Sequence, residues 1–324
     1  MTDNHSPSDY SRRKMWGEKP YHSLDYEMKT RFGEKVYKIA LAGGMTCPNR
    51  DGTLDTRGCI FCSGNGSGDF AAPRSTSVTE QINQGIVGLM ARKHTGQKFI
   101  AYFQSFTNTY APVSYLAPLY EEALAHPAVA MLSIATRPDC LPDEVLDLLE
   151  KCNQKKPLIV ELGLQSIHET TADYIRRGYP LKVYDTAVKS LKSRGLEVVT
   201  HVIAGLPFER KEDFLNTVSY VGQSGSDGIK LQLLHVLKDT DLAEEYEAGV
   251  FQTLTKEEYL NWISEAISIL PEHMVIHRLT GDGPSELLVS PEWSRKKRDV
   301  LNSLHRKLKE EHIWQGCRLY RPGQ

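Results

Sequence analysis

Cys47, Cys59 and Cys62 lie within TCPNRDGTLDTRGCIFC (46–62), three thiols in one loop directly after a strand-like run, KVYKIALAGG. Iron-sulfur clusters are held by cysteine thiolates, normally four, so three close ligands with no obvious fourth point to a cluster with one iron open to a small molecule. The competing reading is a closed structural zinc site of the Cys3His type, with His22 or His201 as the fourth ligand. Zinc ribbons usually carry two Cys-x2-Cys pairs, and this chain has one, Cys59 to Cys62. Cys140, Cys152 and Cys317 stand alone in the sequence and are read as small buried hydrophobes. Six cysteines in 324 residues do not make a secreted disulfide framework.

The elements that must hold this loop alternate between two periods. VTEQINQGIVGLMARKH places Ile82, Ile86, Leu89 and Met90 at helical spacing, and KFIAYFQS then reads as a strand. YLAPLYEEALAH, LPDEVLDLLEKC, HETTADYIRR, LKVYDTAVKSLKSRG and KEDFLNTVSYVGQ read as helices, and VAMLSIATR, PLIVELGLQS, EVVTHVIAGLP and DGIKLQLLHVL as strands. Their apolar runs suit burial on both faces, as in a parallel sheet covered by its crossover helices. Periodicity leaves an open doubly wound sheet and a barrel equally available. In a barrel, the ends of the strands would gather around the cysteines.

The three-cysteine loop ending in Cys-x-aromatic-Cys, with Phe61 before Cys62, resembles the radical S-adenosylmethionine enzymes. In that superfamily the first two cysteines are usually closer; the eleven residues between Cys47 and Cys59 resemble the branch of the elongator catalytic subunit. ELGLQSIHETTADYIRRGY, with Gln165, Ser166, Arg177 and Gly178, and HVIAGLP, with His201, Ile203, Gly205 and Pro207, are similar to the fourth- and fifth-strand motifs shared by that subunit and oxygen-independent coproporphyrinogen oxidase. The likeness runs over about residues 20 to 315 to a bacterial family near the elongator subunit. It implies a partial (β/α)6 parallel barrel at 35–250, between an N-terminal extension (1–34) and a C-terminal α/β extension (251–324) with a basic terminal helix. It implies a 4Fe-4S cluster on Cys47, Cys59 and Cys62, and S-adenosylmethionine cleaved there to a 5'-deoxyadenosyl radical. Phe61 would pack near the adenine, Gln165, Arg177 and His201 would fix ribose and carboxylate, and Ile203 and Gly205 would let backbone approach the base. The second strand departs from the family's Gly-Gly element and reads YFQSFTNTYAP, leaving Ser105 and Asn108 as candidates for the amino-group site. No residue is assigned as hydrogen donor or acceptor. Lys230, His235, Lys238, His277, Arg278 and Asp282 are candidates for the substrate end, and GNGSGD (64–69) for a tight loop over the cluster.

The substrate follows from the same resemblance. The elongator subunit modifies position 5 of the wobble uridine of transfer RNA but also carries an acetyltransferase domain, which this chain has no room to hold. A related single-domain enzyme would remodel an existing side chain there, for example carboxymethylaminomethyl to aminomethyl. Alternatives are a radical enzyme acting on a small metabolite or cofactor precursor, and a non-catalytic zinc- or nucleic-acid-binding protein. A formal net charge of -2 rules out a global basic field. Local basic runs, WSRKKRDVLNSLHRKLKEEHIWQGCRLYR and YSRRKMW, with Trp293, Trp314 and Tyr320, could grip a phosphate backbone. Electrons would come from a donor such as flavodoxin or ferredoxin. With 40% hydrophobic and 25% charged residues, no apolar run near the roughly 20 residues of a membrane span, and no secretory h-region, a cytoplasmic location without membrane contact is expected.

Overall fold

The computed structural model describes residues 14–64, 66, 77–281 and 283–319. The apolar runs form parallel strands where their periodicity puts them: β1 (Tyr37–Leu41), β2 (Phe99–Phe103), β3 (Val129–Thr136), β4 (Leu158–Gln165), β5 (Glu197–Ala204) and β6 (Gly228–Leu233). Beyond them come a short β7 (Val236–Leu237), then β8 (Val275–Arg278) and β9 (Leu288–Ser290). The sheet order is β1-β2-β3-β4-β5-β6-β8, every pairing parallel, while β7 and β9 form an antiparallel pair. This is the expected partial barrel, curled and left open between β1 and β8. The sheet gains a seventh strand from the segment read as the C-terminal extension.

Ten helices are described: α1 (Leu24–Phe32), α2 (Val78–Met90), α3 (Val113–Ala125), α4 (Asp143–Lys155), α5 (Glu169–Tyr174), α6 (Leu181–Ser193), α7 (Lys211–Gln223), α8 (Asp241–Glu247), α9 (Lys256–Ile269) and α10 (Lys297–Glu310). The crossover helices start on proline or polar caps. Ser77 accepts from Glu80 N at the head of α2, and Thr255 and Glu258 form a capping box on α9.

Side chains alternate between the two faces of each strand. On β4, Val160, Leu162 and Leu164 join the main core under the helices, with Val198 and Val202 of β5 and Ile229 and Leu231 of β6. The other face lines the lumen, and it is layered. At the amino ends of the strands, Ile100, Met131, Ile159 and Val199 pack with Val36 and with Met28 of α1, against Leu24 and Phe32. Helix α1 therefore plugs that end with apolar side chains. One inward position further along, the strands carry Tyr102, Ser133, Glu161, His201 and Lys230, and the layer is polar. Cys140 and Cys152 are buried as expected; Cys317 is half-buried.

Candidate active site

The eleven residues between Cys47 and Cys59 fold back on themselves. Cys47 O accepts from Arg50 N at 2.8 Å, Pro48 O from Leu54 N at 2.8 Å, and Asn49 O from Gly58 N at 2.7 Å, so the excursion closes and returns Cys59 beside its start. Cys62 N then donates to Cys59 O at 3.0 Å, a tight turn across the Cys-x2-Cys pair. Side chains pin the loop: Arg50 Nη2 donates to Cys62 O at 3.0 Å and Ser63 O at 2.7 Å, and Asn49 Nδ2 donates to Arg176 O at 2.6 Å and lies 3.5 Å from Cys59 Sγ. A hydrogen bond from Cys62, with the Arg137 and Arg50 charges and Asn49, outweighs burial and pulls the Cys59 thiol down to about 7; the same bond and burial push Cys62 up. Thiolates are the ligand form, and Cys59 is the one of the pair that ionises more readily.

All three cysteines line one cavity of about 250 Å³, shared with Phe61, Gln165, His201 and Ile203. Gln165 ends β4 at a register shift against β5, with φ at 69°. That left-handed backbone costs a non-glycine residue about 1 kcal/mol or more and persists only where the surroundings demand it. Its Oε1 is buried and has no hydrogen-bond partner within the protein. An orphaned acceptor costs about 1–3 kcal/mol. A polar ligand in this cavity would satisfy it.

Below the cysteine ring lies the polar layer of the lumen. Glu161 is fully buried and accepts from Ser133 Oγ at 2.7 Å and His201 Nε2 at 2.8 Å, and it is ion-paired with both Lys38 and Lys230. Lys230 Nζ also donates to Tyr102 Oη at 3.1 Å, and both ammonium groups lie over the Tyr102 ring, at 4.5 and 4.7 Å from its centroid. Burial opposes ionisation of Glu161, but Lys230 and Lys38 outweigh it and hold the carboxyl well below the usual carboxylate range. Burial and Lys230 hold His201 down to about 4, so it is a neutral donor near neutral pH. Burial pushes Lys230 below the ordinary lysine value, with Glu161 pulling the other way.

The remaining expected residues are placed differently. Arg177 is buried away from the cavity, donating to Tyr179 O at 2.9 Å, Ser166 O at 2.6 Å and Glu169 at 3.1 Å; it braces the turn after β4, while Arg137 takes a place in the wall. Ser105 and Asn108 lie outside the wall, which Gln104, Phe106 and Thr107 supply on that side; Asn108 Nδ2 donates to Ala135 O at 2.9 Å. Gly205, at φ 84°, faces Leu254, whose Cγ a Cβ would meet at 2.9 Å. Lys230, His235 and Arg278 line the cavity, His277 is packed against Gly228, and Lys238 is exposed. Asp282, Tyr320, residues 10–13 of the first basic run and most of GNGSGD lie outside the described residues. Trp293 is half-buried and donates to Leu254 O at 3.0 Å, whereas Lys296, Arg298, Arg306 and Lys309 are exposed on or beside α10. Of the two candidate fourth ligands of a closed zinc site, His22 is bonded to Glu27 at 2.9 Å and is not part of the cavity wall, whereas His201 lines the cavity with its Nε2 bonded to Glu161. Sequence reasoning passed over Glu161, Lys38, Tyr102, Arg137 and Arg50. The signal for Glu161 was present: a carboxylate inside the apolar run LIVELGL is almost never buried without partners.

A parallel half-barrel with three cysteines after its first strand, ringing a cavity with a buried nucleoside-compatible acceptor, is the architecture of a radical S-adenosylmethionine enzyme. Residues 56–221 match the model of the radical SAM superfamily and residues 226–310 that of the radical SAM C-terminal domain. The chain is 44% identical over 299 residues to the uncharacterized protein YtqA of Bacillus subtilis (strain 168), covering 92% of each. It is 28% identical over 194 residues to the tRNA uridine(34) acetyltransferase of Methanocaldococcus jannaschii, 59% of this chain and 34% of that protein. Among solved structures, Elp3 of Methanocaldococcus infernus superposes with a TM-score of 0.66 at 19% identity, over 86% of this chain and 64% of that one, a likeness of fold. The chain belongs to the radical SAM superfamily and is an enzyme of that class. The family's cofactors are a 4Fe-4S cluster and S-adenosylmethionine, and its chemistry requires a reductant. The described residues fit both cofactors in donor chemistry: three thiols line one cavity for the cluster, and the orphaned Gln165 acceptor in the same wall suits a polar ligand beside it. No described helix is long and apolar enough to cross a membrane.

Proposed function

We propose that the enzyme remodels the side chain at position 5 of the wobble uridine of transfer RNA, trimming carboxymethylaminomethyl to aminomethyl: a hydrogen atom is removed from the carboxymethyl CH2, one further electron returns to the iron-sulfur redox chain to leave an imine, and water hydrolyses the imine to the aminomethyl group and glyoxylate. The observation that carries this reading is the likeness to a tRNA uridine(34) acetyltransferase over 59% of this chain. When bound, the cluster and S-adenosylmethionine supply a 5'-deoxyadenosyl radical, which removes an unactivated hydrogen atom that no side chain can remove. Cys47, Cys59 and Cys62 hold the cluster. Phe61 and Ile203 would wall the adenosine side and exclude water, Gln165 would accept from the ribose hydroxyls, and His201, fixed by Glu161 through Nε2, lines the same cavity. The exposed cations of α10 meet RNA phosphates, and a flavodoxin or ferredoxin delivers the electron.

The test is anaerobic reconstitution with iron and sulfide, reduction in the presence of S-adenosylmethionine, and incubation with transfer RNA from a strain lacking the protein. 5'-Deoxyadenosine should form together with aminomethyluridine, and both should vanish in a variant with all three cysteines replaced by alanine. A strain lacking the protein whose wobble nucleosides are unchanged would remove transfer RNA as the substrate.

A further inference from the structure

The cavity ends on a layer of charge that cluster binding does not require. Each of the first six strands contributes one polar group to it: Lys38 from β1, Tyr102 from β2, Ser133 from β3, Glu161 from β4, His201 from β5 and Lys230 from β6, and Arg278 of β8, which pairs with Lys230 in register, lines the same cavity. Beneath it the apolar plug of α1 closes the barrel, so this layer is the floor of the cavity. Lys230 is 3% exposed and Glu161 0%. Glu161 is the only carboxylate lining the cavity among the described residues, and it is shared by two lysines. Lys230 is the buried ammonium and Lys38, its side chain 20% exposed, the half-buried one; buried ammonium groups are rare unless paired, and one carboxylate neutralises only one of the two. Burial already pushes Lys230 below the ordinary lysine value, the direction expected of an under-compensated cation.

We infer that the Lys38–Glu161–Lys230 floor is a receptor for one carboxylate carried by the substrate, which Lys230 binds with Tyr102 and His201 at its flanks. Resting on the transfer RNA reading above, that carboxylate is the carboxymethyl terminus of the uridine side chain. A side chain inserted end-first would place its carboxylate on Lys230 and its methylene groups higher in the cavity, toward the cysteine ring. Glu161 then has two tasks. It keeps both lysines in place before substrate arrives, and by engaging both it leaves one unit of positive charge for the ligand. The floor gives specificity by its charge: an aminomethyl product, itself cationic, meets two ammonium groups and is repelled, which favours its release.

The experiment compares the reconstituted wild type with Lys230→Met, Lys230→Arg and the charge-balanced Glu161→Gln/Lys230→Met on carboxymethylaminomethyl transfer RNA, with the Kd for S-adenosylmethionine measured in parallel. Lys230→Met should raise KM for the RNA at least about tenfold, the loss expected when one partner of a desolvated charge pair is removed. Lys230→Arg should recover part of it, S-adenosylmethionine affinity should not move, and the double variant, which keeps the wild type's single unit of excess positive charge, now on Lys38, but lacks the Lys230 ammonium, should bind RNA as weakly as Lys230→Met. An unchanged KM, or a loss of S-adenosylmethionine affinity equal to the loss of RNA affinity, overturns the inference. If the wild type converts no transfer RNA, the functional reading fails, and the floor is tested alone with N-methylglycine as the probe. The carboxylate probe should then raise the melting temperature of the wild type but not of Lys230→Met, with dimethylamine at matched ionic strength inert. No difference between probe and control would overturn the receptor itself.

Discussion

Lys230 on β6 reaches past β5 to Glu161 on β4, and the two side chains, both almost wholly removed from solvent, form an ion pair inside the lumen rather than on the surface. A pair held this way adds little net stability, because desolvation offsets the Coulomb attraction, but breaking it from one side is costly. The cost is asymmetric here. Removing Lys230 leaves Glu161 with Lys38, His201 and Ser133, whereas removing the Glu161 charge leaves two lysines facing each other.

Glu161→Gln should therefore destabilise the fold by about 3–5 kcal/mol. Lys230→Met should cost clearly less. Urea unfolding of the apoprotein followed by circular dichroism measures both. Equal losses would mean that the lysines do not depend on Glu161 for compensation.

Gly58 closes the cysteine excursion at φ 81°, and a Cβ there would lie 2.8 Å from Arg50 Nε. Gly58→Ala should cost about 1–2 kcal/mol from the left-handed backbone and displace Arg50 from the carbonyls of Cys62 and Ser63. The main effect should be on the metal site: iron and sulfide content after reconstitution should fall several-fold while the barrel stays folded. Full iron content in a folded Gly58→Ala protein would show that Arg50 does not hold the loop.

The alternation of strands and helices was legible because each strand carries an unbroken apolar run and each helix a 3.6-residue stripe, and the cysteine spacing marked the metal loop. That VIHR joins the sheet as its seventh strand was not legible, since the segment is short and pairs only at the edge of the sheet. Side-chain direction after a strand end was not legible at all. Arg176 and Arg177 are neighbours in sequence, yet Arg176 turns to Asp241 and Arg177 to the carbonyls of Ser166 and Tyr179, a choice made by a left-handed residue at Arg176 and by packing. Ser105 and Asn108 lie outside the cavity wall for the same reason: polar type suggested the cavity, but a bend sends Gln104, Phe106 and Thr107 there instead.

His201 and His277 should make the fold sensitive to mild acid. Burial holds both below the 6.5 of a free imidazole, His201 to about 4. The unfolded chain takes up protons as pH falls through 6.5, while the folded chain does not until about 4. Stability is thus complete above 6.5 and declines between 6.5 and 4, with the loss due to Glu161, whose carboxyl is held low, setting in only as pH nears the unfolded value of 4.5. The drop in urea midpoint between about pH 7.5 and about pH 5 should be smaller in His201→Asn than in the wild type. Identical drops would mean that His201 titrates normally in the fold.

Gln165 separates stability from function in one residue. Its backbone is strained and its buried acceptor is unpaired, two costs that the protein bears without a ligand. Gln165→Gly relieves both, since glycine adopts positive φ without the Cβ penalty and carries no orphaned oxygen, although it gives back part of the gain as unfolded-state entropy. The variant should be as stable as the wild type or up to about 1 kcal/mol more stable, and should retain its iron. Equilibrium binding of S-adenosylmethionine to the reconstituted protein should nevertheless weaken about tenfold, the worth of one buried hydrogen bond to a polar ligand. Gln165→Ala should lose the same affinity but keep the backbone strain, and so be less stable than Gln165→Gly. Undiminished affinity in both variants would remove Gln165 from the nucleoside site and leave its strained turn without a functional account.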